Sequence, residues 1–420
     1  MEFSGIGKRR FFSSRTVSHL AYLANFGQYQ NMANSSIFFT IFLIFSGAAI
    51  VATVALFARQ ALIVAYIVLG LILGPSLLGW VGNAELLQKF SDIGIVFLLF
   101  LLGLNLHPQK LIALLREATV VTFISSLVFA IFGTLIAYVF GFGITEAVII
   151  GSALMFSSTI IGLKLTPTTE LHHQHTGEIM ISILLLQDFI AIVLLIVLQA
   201  SGSKNGLAMN LGMLIVALLG ISVFAYLMER FVLIPLIRRF DKIQEYIFLL
   251  AIGWCLGMSE LAAQVGLSHE IGAFIAGVAI ATHRISLFIA ESLKPLRDFF
   301  LIIFFFAIGA AIDLSQLAQV ILPGLVLALA ILLGKPLVFG WLLRYEGEAN
   351  KQAVEVAFRL GQGSEFSFLI MVLALDLNLI GPQASALIQL ATLITFIIST
   401  YFVVFKYPTP IAVSDKLRRS

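Results

Sequence analysis

The chain has 420 residues, of which 60% are hydrophobic and only 11% charged, with a net charge of +3 and a mean hydropathy of +1.06. A soluble domain carries roughly 45 to 50% apolar and about 25% charged residues, so this composition defines an integral membrane protein. The small charge, scattered over short loops, argues against a nucleic-acid partner, and the single cysteine, Cys255, lies in an apolar run where neither a disulfide framework nor a thiolate metal cluster is available; no cofactor is called for.

The first 36 residues carry Lys8, Arg9, Arg10 and Arg15 against one acid, Glu2, and are expected to be an extension (1–36) that is dispensable or serves targeting. Arg9-Arg10-Phe11-Phe12 has a faint twin-arginine look, and Met32 offers an alternative start. Cutting the hydropathy at charges, Pro and Gly then yields thirteen apolar segments, at approximately 37–57, 61–79, 87–106, 119–140, 146–165, 178–200, 207–228, 244–261, 267–282, 295–312, 317–343, 351–377 and 381–405. Backbone in lipid must satisfy its own hydrogen bonds, and these segments do not alternate as barrel strands would, so the expected fold is all-α and polytopic. Residues 37–405 form the membrane domain and 406–420 a short basic tail. With that tail in the cytoplasm, Arg59, Lys110, Arg116, Arg238, Arg239, Lys242, Lys294, Arg297, Arg344 and Lys351 share its side, whereas the other side collects only Lys89 and Lys204. This asymmetry fits an odd number of crossings of a cell (inner) membrane; the basic N-terminal residues run against it, because thirteen crossings place them outside.

Two segments carry polar or glycine interruptions. The fifth contains Phe156-Ser157-Ser158-Thr159, and the twelfth contains Arg359-Leu360-Gly361-Gln362-Gly363-Ser364-Glu365-Phe366. They lie seven spans apart and so cross in opposite directions, which makes segments one to six and eight to thirteen an inverted pair around a linking seventh. Interrupted helices at matching places of two inverted halves mark a transporter's binding site, because unwound half-helices present dipole ends and free carbonyls at the midplane. Each interruption alone reads as ordinary Ser/Thr/Gly helix packing. Asp188 adds weight: it follows Gln187 in an apolar run from Ile181 to Gln199, roughly 16 Å from each membrane face. A charge there costs on the order of 2.5 to 3.5 kcal/mol, so it belongs to an ion or proton pathway or to a satisfied polar pair in the bundle. Lys335 in the eleventh segment either snorkels to the cytoplasmic face or turns inward to compensate a carboxylate or dipole ends, and Pro336 is expected to disturb the helix beside it. Arg359 and Glu365 read first as an internal ion pair.

Gln187-Asp188 in LLLQDFIAIVLL, Gly361-Gln362-Gly363-Ser364-Glu365-Phe366, Phe97 to Leu106 (FLLFLLGLNL), Gly272 to Gly277 (GAFIAG) and Leu293-Lys294-Pro295 leading into FFFAIGAAIDL resemble the membrane domain of Kef-type potassium/proton antiporters. These belong to the wider monovalent cation:proton antiporter superfamily that includes the NhaA fold, and the resemblance covers about residues 37–405. It implies a homodimer, a dimerisation domain, a core domain in which two broken helices cross beside the helix bearing Asp188, and elevator-like alternating access. The chain departs from the family at three places: Asn105 stands where relatives often have an acid, Ser268-His269-Glu270 is unusually polar, and Gln187 replaces the first acid of the Asp-Asp pair of some sodium/proton members. The residues after 405 leave no room for a nucleotide-binding regulatory domain of the kind that follows in Kef-type systems, so gating through one is not expected.

The chemistry follows from a buried acid. Desolvation penalises its charged form, so a proton and a dehydrated cation compete to neutralise it. Asp188 supplies the charge; Gln187, Ser157, Ser158 and Thr159, with carbonyls freed at the breaks, supply neutral oxygens; Lys335, Gly361, Gly363, Ser364 and Glu365 form the second break and its charge compensation. One charge for one ion predicts electroneutral exchange of H⁺ against K⁺, favoured by the Gln-Asp resemblance, or Na⁺, in a lipid-embedded homodimer without a further bound metal. A cation channel or potassium-efflux pathway is the alternative, though no filter-like run such as TVGYG is present. An enzyme is not expected, because it would need a second catalytic group near Asp188, and the histidines His172, His173 and His175 lie in a cytoplasmic loop, where they are solvated, sense pH or form a transient metal site.

Overall fold

The computed structural model describes residues 37–81, 84–105, 108–166, 175–201, 207–283 and 285–410. The N-terminal extension, His172, His173, Lys204 and the end of the basic tail lie outside the described residues.

The chain is all-α. In order the helices are α1 (Ile37–Phe57), α2 (Leu62–Leu73), α3 (Ala84–Asn105), α4 (Pro108–Val139), α5 (Ile144–Leu154), α6 (Thr159–Lys164), α7 (His175–Ser201), α8 (Leu207–Met228), α9 (Ile234–Arg239), α10 (Gln244–Gln264), α11 (His269–Ala281), α12 (Ile285–Ala310), α13 (Leu314–Gln319), α14 (Ile321–Tyr345), α15 (Asn350–Arg359), α16 (Glu365–Asp376) and α17 (Pro382–Lys406). Among the described residues eight stretches are long and apolar enough to cross a membrane: Ile37–Phe57, Ala118–Val139, Ile144–Lys164, Thr176–Ser201, Gly212–Arg239, Gln244–Gln264, Ile321–Tyr345 and Pro382–Lys406. The apolar helices α2 and α11 are shorter. A π-helical turn, Glu229–Leu233, joins α8 to α9, and its buried Glu229 meets His283 beyond α11.

Two of the bundle's apolar cores meet beside α7. One gathers α4, α5, α7, α14, α16 and α17 around Phe156, Leu184, Phe339, Phe368 and Phe396; the other gathers α3, α10 and α11 around Phe100, Trp254 and Ile271. Glycine sets the second. A Cβ on Gly103 would stand 2.4 Å from the Phe274 carbonyl oxygen, and one on Gly277 2.2 Å from that of Phe100, so α3 and α11 touch backbone to backbone. The motifs FLLFLLGLNL and GAFIAG are thus two sides of one contact, of the small-residue kind that packs helices in lipid. Gly277→Ala is expected to destabilise the protein by about 1 to 3 kcal/mol through overpacking, seen as a lower melting temperature in detergent; an unchanged one would mean that α3 and α11 separate freely.

The prolines behave differently from expectation. Pro336 lies inside the continuous helix α14, and Pro295 lies inside α12, which begins ten residues earlier, at Ile285. In a packed bundle neighbours re-satisfy the freed backbone group, so a single proline need not end a helix. Pro336 instead abuts the second interruption: a Cβ on Gly361 would lie 3.2 Å from its Cγ.

Candidate ion site

The first interruption is Met155–Ser158, between α5 and α6. Ser158 is in extended backbone and its Oγ accepts from Ile161 N at 3.0 Å, so the restart of the helix is capped from within the sequence. The second interruption is Leu360–Ser364, between α15 and α16. Ser364 caps α16 by accepting from Phe366 N at 3.2 Å, and Ser367 closes a capping box by accepting from Ser364 N at 3.4 Å.

The two breaks are joined by polar contacts across more than 200 residues of chain. Ser157 Oγ donates to Leu360 O at 2.7 Å and Ser367 Oγ to Ala153 O at 2.6 Å. Lys335 is fully buried and does not snorkel: its Nζ donates to Phe156 O at 2.5 Å and Gln362 O at 2.8 Å, one carbonyl from each break, with the Phe129 ring at 5.6 Å. The ammonium thus sits where two unwound segments present unpaired oxygens.

Asp188 is 1% exposed on α7, and Thr159 Oγ1, in the first turn of α6, lies 3.1 and 3.0 Å from its two carboxylate oxygens. Gln187 Oε1 accepts from Ser157 N at 3.0 Å, while its Nε2 has no partner among the described residues. Glu365, also buried, accepts from Ile160 N at 3.2 Å, with Ser158 and the Thr159 backbone as further donors. Ser157, Ser158, Thr159, Gln187, Asp188, Lys335, Gly361, Gly363, Ser364 and Glu365 therefore fall in one region, buried except for the half-buried Thr159. Gly361 and Gly363 contribute shape: Gly363 N donates to Thr395 Oγ1 at 2.9 Å, and a Cβ there would crowd that hydroxyl at 3.1 Å.

One expectation is corrected. Arg359 and Glu365 do not pair with each other; five intervening residues unwind, which sends their side chains apart. Arg359 is held by Glu355, with Nε and Nη2 at 3.1 and 2.8 Å from Oε1. A group of residues on α17 escapes sequence reasoning: Thr392, Thr395 and Ser399 are buried, and Ser399 Oγ donates to Gln362 Oε1 at 3.0 Å. Their spacing of three and four places them on one helix face, but Ser and Thr in membrane helices commonly bond their own backbone, so the pattern is silent.

A cavity of about 630 Å³ lies between the two packed bodies, lined by Lys89 and Asp92 of α3, Glu260 of α10, Glu270 of α11, and Leu195 and Leu369 of α7 and α16. Leu195 is seven residues past Asp188 and Leu369 four past Glu365, about 10 and 6 Å along their helices. Among the described residues no cluster of three or more His, Cys, Asp or Glu could hold a metal ion.

An all-helical membrane bundle in which interrupted helices meet beside buried carboxylates has the architecture of a secondary transporter. The chain belongs to the sodium/hydrogen exchanger transmembrane family, whose model matches residues 23–406. It is 30% identical over 351 residues to the glutathione-regulated potassium-efflux system protein KefC of Escherichia coli, covering 82% of this chain and 56% of that one. It thus spans little more than half the length of that relative. It is 24% identical over 345 residues to the iron transporter MagA of Paramagnetospirillum magneticum, covering 82% of this chain and 80% of that one. The fold is that of the sodium proton antiporter MjNhaP1 from Methanocaldococcus jannaschii, with a TM-score of 0.62, 18% identity, and 89% and 96% of the two chains covered.

Proposed function

We propose that the protein exchanges a monovalent cation for H⁺ by alternating access, with Asp188 as the group that proton and cation occupy in turn. The observation that carries this reading is a carboxylate 1% exposed, held by a hydroxyl of one interrupted helix and beside the carboxylate of the other. Among the described residues three ionisable groups share the region: Asp188, Glu365 and Lys335. With all three ionised their sum is one negative charge, which one H⁺ or one monovalent cation neutralises. Gln187, Ser157, Ser158 and Thr159 supply the neutral oxygens that replace water around the ion, and Gly361, Gly363 and Ser364 hold the second break open. A net single charge suits a monovalent cation, K⁺ or Na⁺. The likeness to KefC makes K⁺ the first cargo to test and Na⁺ the second.

The same reading gives thirteen crossings, inverted halves with the two breaks crossing near the midplane, a homodimer in lipid, and a cytoplasmic C-terminus in the inner membrane. Concentration-driven counterflow in proteoliposomes tests it: K⁺ or Na⁺ applied on one side should dissipate an imposed ΔpH, and a potential clamped with valinomycin and K⁺ should leave the rate of Na⁺-driven exchange unchanged. Current without obligatory H⁺ movement would make the protein a channel. Exchange that follows the clamped potential would reject the one-charge count.

A further inference from the structure

Arg359 and Glu365 flank the second interruption, and both reach the same small element. Helix α6 has six residues, about 9 Å of length, which is too few turns to be stable alone. Glu365 Oε1 accepts from Ile160 N at its start. At its end Arg359 Nη1 donates to Leu165 O at 3.0 Å and to Thr166 Oγ1 at 3.2 Å. Arg359 is 2% exposed, and its guanidinium also bonds the Glu355 carboxylate and, through Nη2, Pro408 O at 3.0 Å; its Cζ lies 5.7 Å from the centre of the Tyr407 ring. Tyr407 and Thr409 are themselves buried, so the segment that follows α17 is packed into the bundle rather than trailing from it. The first residue of α6 is Thr159, the hydrogen-bond partner of Asp188.

We propose that Arg359 is a positioning residue: it fixes α6 from its far end and ties it to the Tyr407–Thr409 segment, so that moving that segment alters the ion site through Thr159. Only a planar fork with several donors reaches a carboxylate, two carbonyls and a hydroxyl on three different parts of the chain; a lysine ammonium cannot span them. The role is distinct from that of Glu365, which touches the element next to the acid directly, and from that of Lys335, which touches the breaks.

For its transport readout the proposal rests on the antiport reading above, so the test includes a measurement that does not. Full-length Arg359→Lys and Arg359→Gln proteins, and a Glu355→Gln/Arg359→Gln double variant that removes both members of the Arg359–Glu355 ion pair together, are compared with wild type. Hydrogen–deuterium exchange over residues 159–166 and the KM for K⁺ and Na⁺ in proteoliposomes are read for each. Loss of charged hydrogen bonds should speed exchange at α6 and raise the cation KM, each on the order of tenfold, with a smaller change in maximal rate. Deletion of residues 408–420, which removes the Pro408 carbonyl, should move both readings the same way. Wild-type protection of 159–166 with a wild-type KM, whatever happens to the melting temperature, overturns the proposal, and unchanged readings in the deletion overturn the tie to the segment after α17. A wild type that transports nothing while the variants still lose protection at α6 overturns the antiport reading and leaves the clamp standing.

Discussion

Replacing Asp188 with asparagine should reduce cation-dependent dissipation of ΔpH to the level of protein-free vesicles while the protein stays folded. The amide keeps the volume, and its Oδ1 can still accept from Thr159 Oγ1, so the packing around α7 is preserved. What disappears is the group that alternates between a proton and a cation. The sign of the stability change separates two roles for this acid. An isolated buried charge is costly, and its neutral isostere is tolerated or stabilising, whereas removing one member of a buried ion pair commonly costs about 3 to 5 kcal/mol. Among the described residues no cationic side chain bonds Asp188, so the melting temperature should hold or rise. Transport retained in the variant would remove Asp188 from the cycle, and a sharp fall in melting temperature would make it a structural group.

The legibility of the site in the sequence has a physical pattern. Helices were evident because lipid forbids unpaired backbone, and the breaks were evident because Gly361, Gly363 and the serines interrupt runs that are otherwise apolar. Asp188 and Lys335 stood out by cost alone, since a charge at such depth needs a reason. What local reading could not supply is which parts meet. Ser157 and Leu360 are 203 residues apart, and nothing at either position names the other. Arg359 and Glu365 failed for the opposite reason: their closeness in sequence suggested a pair, but the unwound Leu360–Ser364 stretch between them turns one toward the start of α6 and the other toward its end. Pro336 does not end its helix because in a packed bundle a single proline is tolerated, and Gly361, having no side chain, leaves room for its ring against the second break. The polar face of α17 was hidden by the ordinariness of Thr and Ser in membrane helices.

Lys335 carries the second large effect, and two measurements on one variant fix its role. Lys335→Ala deletes the ammonium that bridges the breaks, leaving Phe156 O and Gln362 O without this donor. An unpaired buried acceptor costs roughly 1 to 3 kcal/mol, so the loss at both carbonyls should lower the melting temperature by several degrees unless water enters to replace the amine. The charge count changes as well. Without the ammonium, Asp188 and Glu365 sum to two negative charges when both are ionised, and a single cation no longer neutralises the region. Surviving exchange should then need a second proton or cation per cycle and respond to a clamped membrane potential that the wild type ignores. Lys335→Arg separates the two contributions, because it keeps the charge while its larger fork does not fit a site shaped for one nitrogen: stability should fall, and exchange, where it persists, should stay insensitive to potential. If Lys335→Ala melts like wild type and its exchange ignores the potential, the ammonium neither ties the breaks nor balances the carboxylates, and the compensation must come from the helix ends themselves.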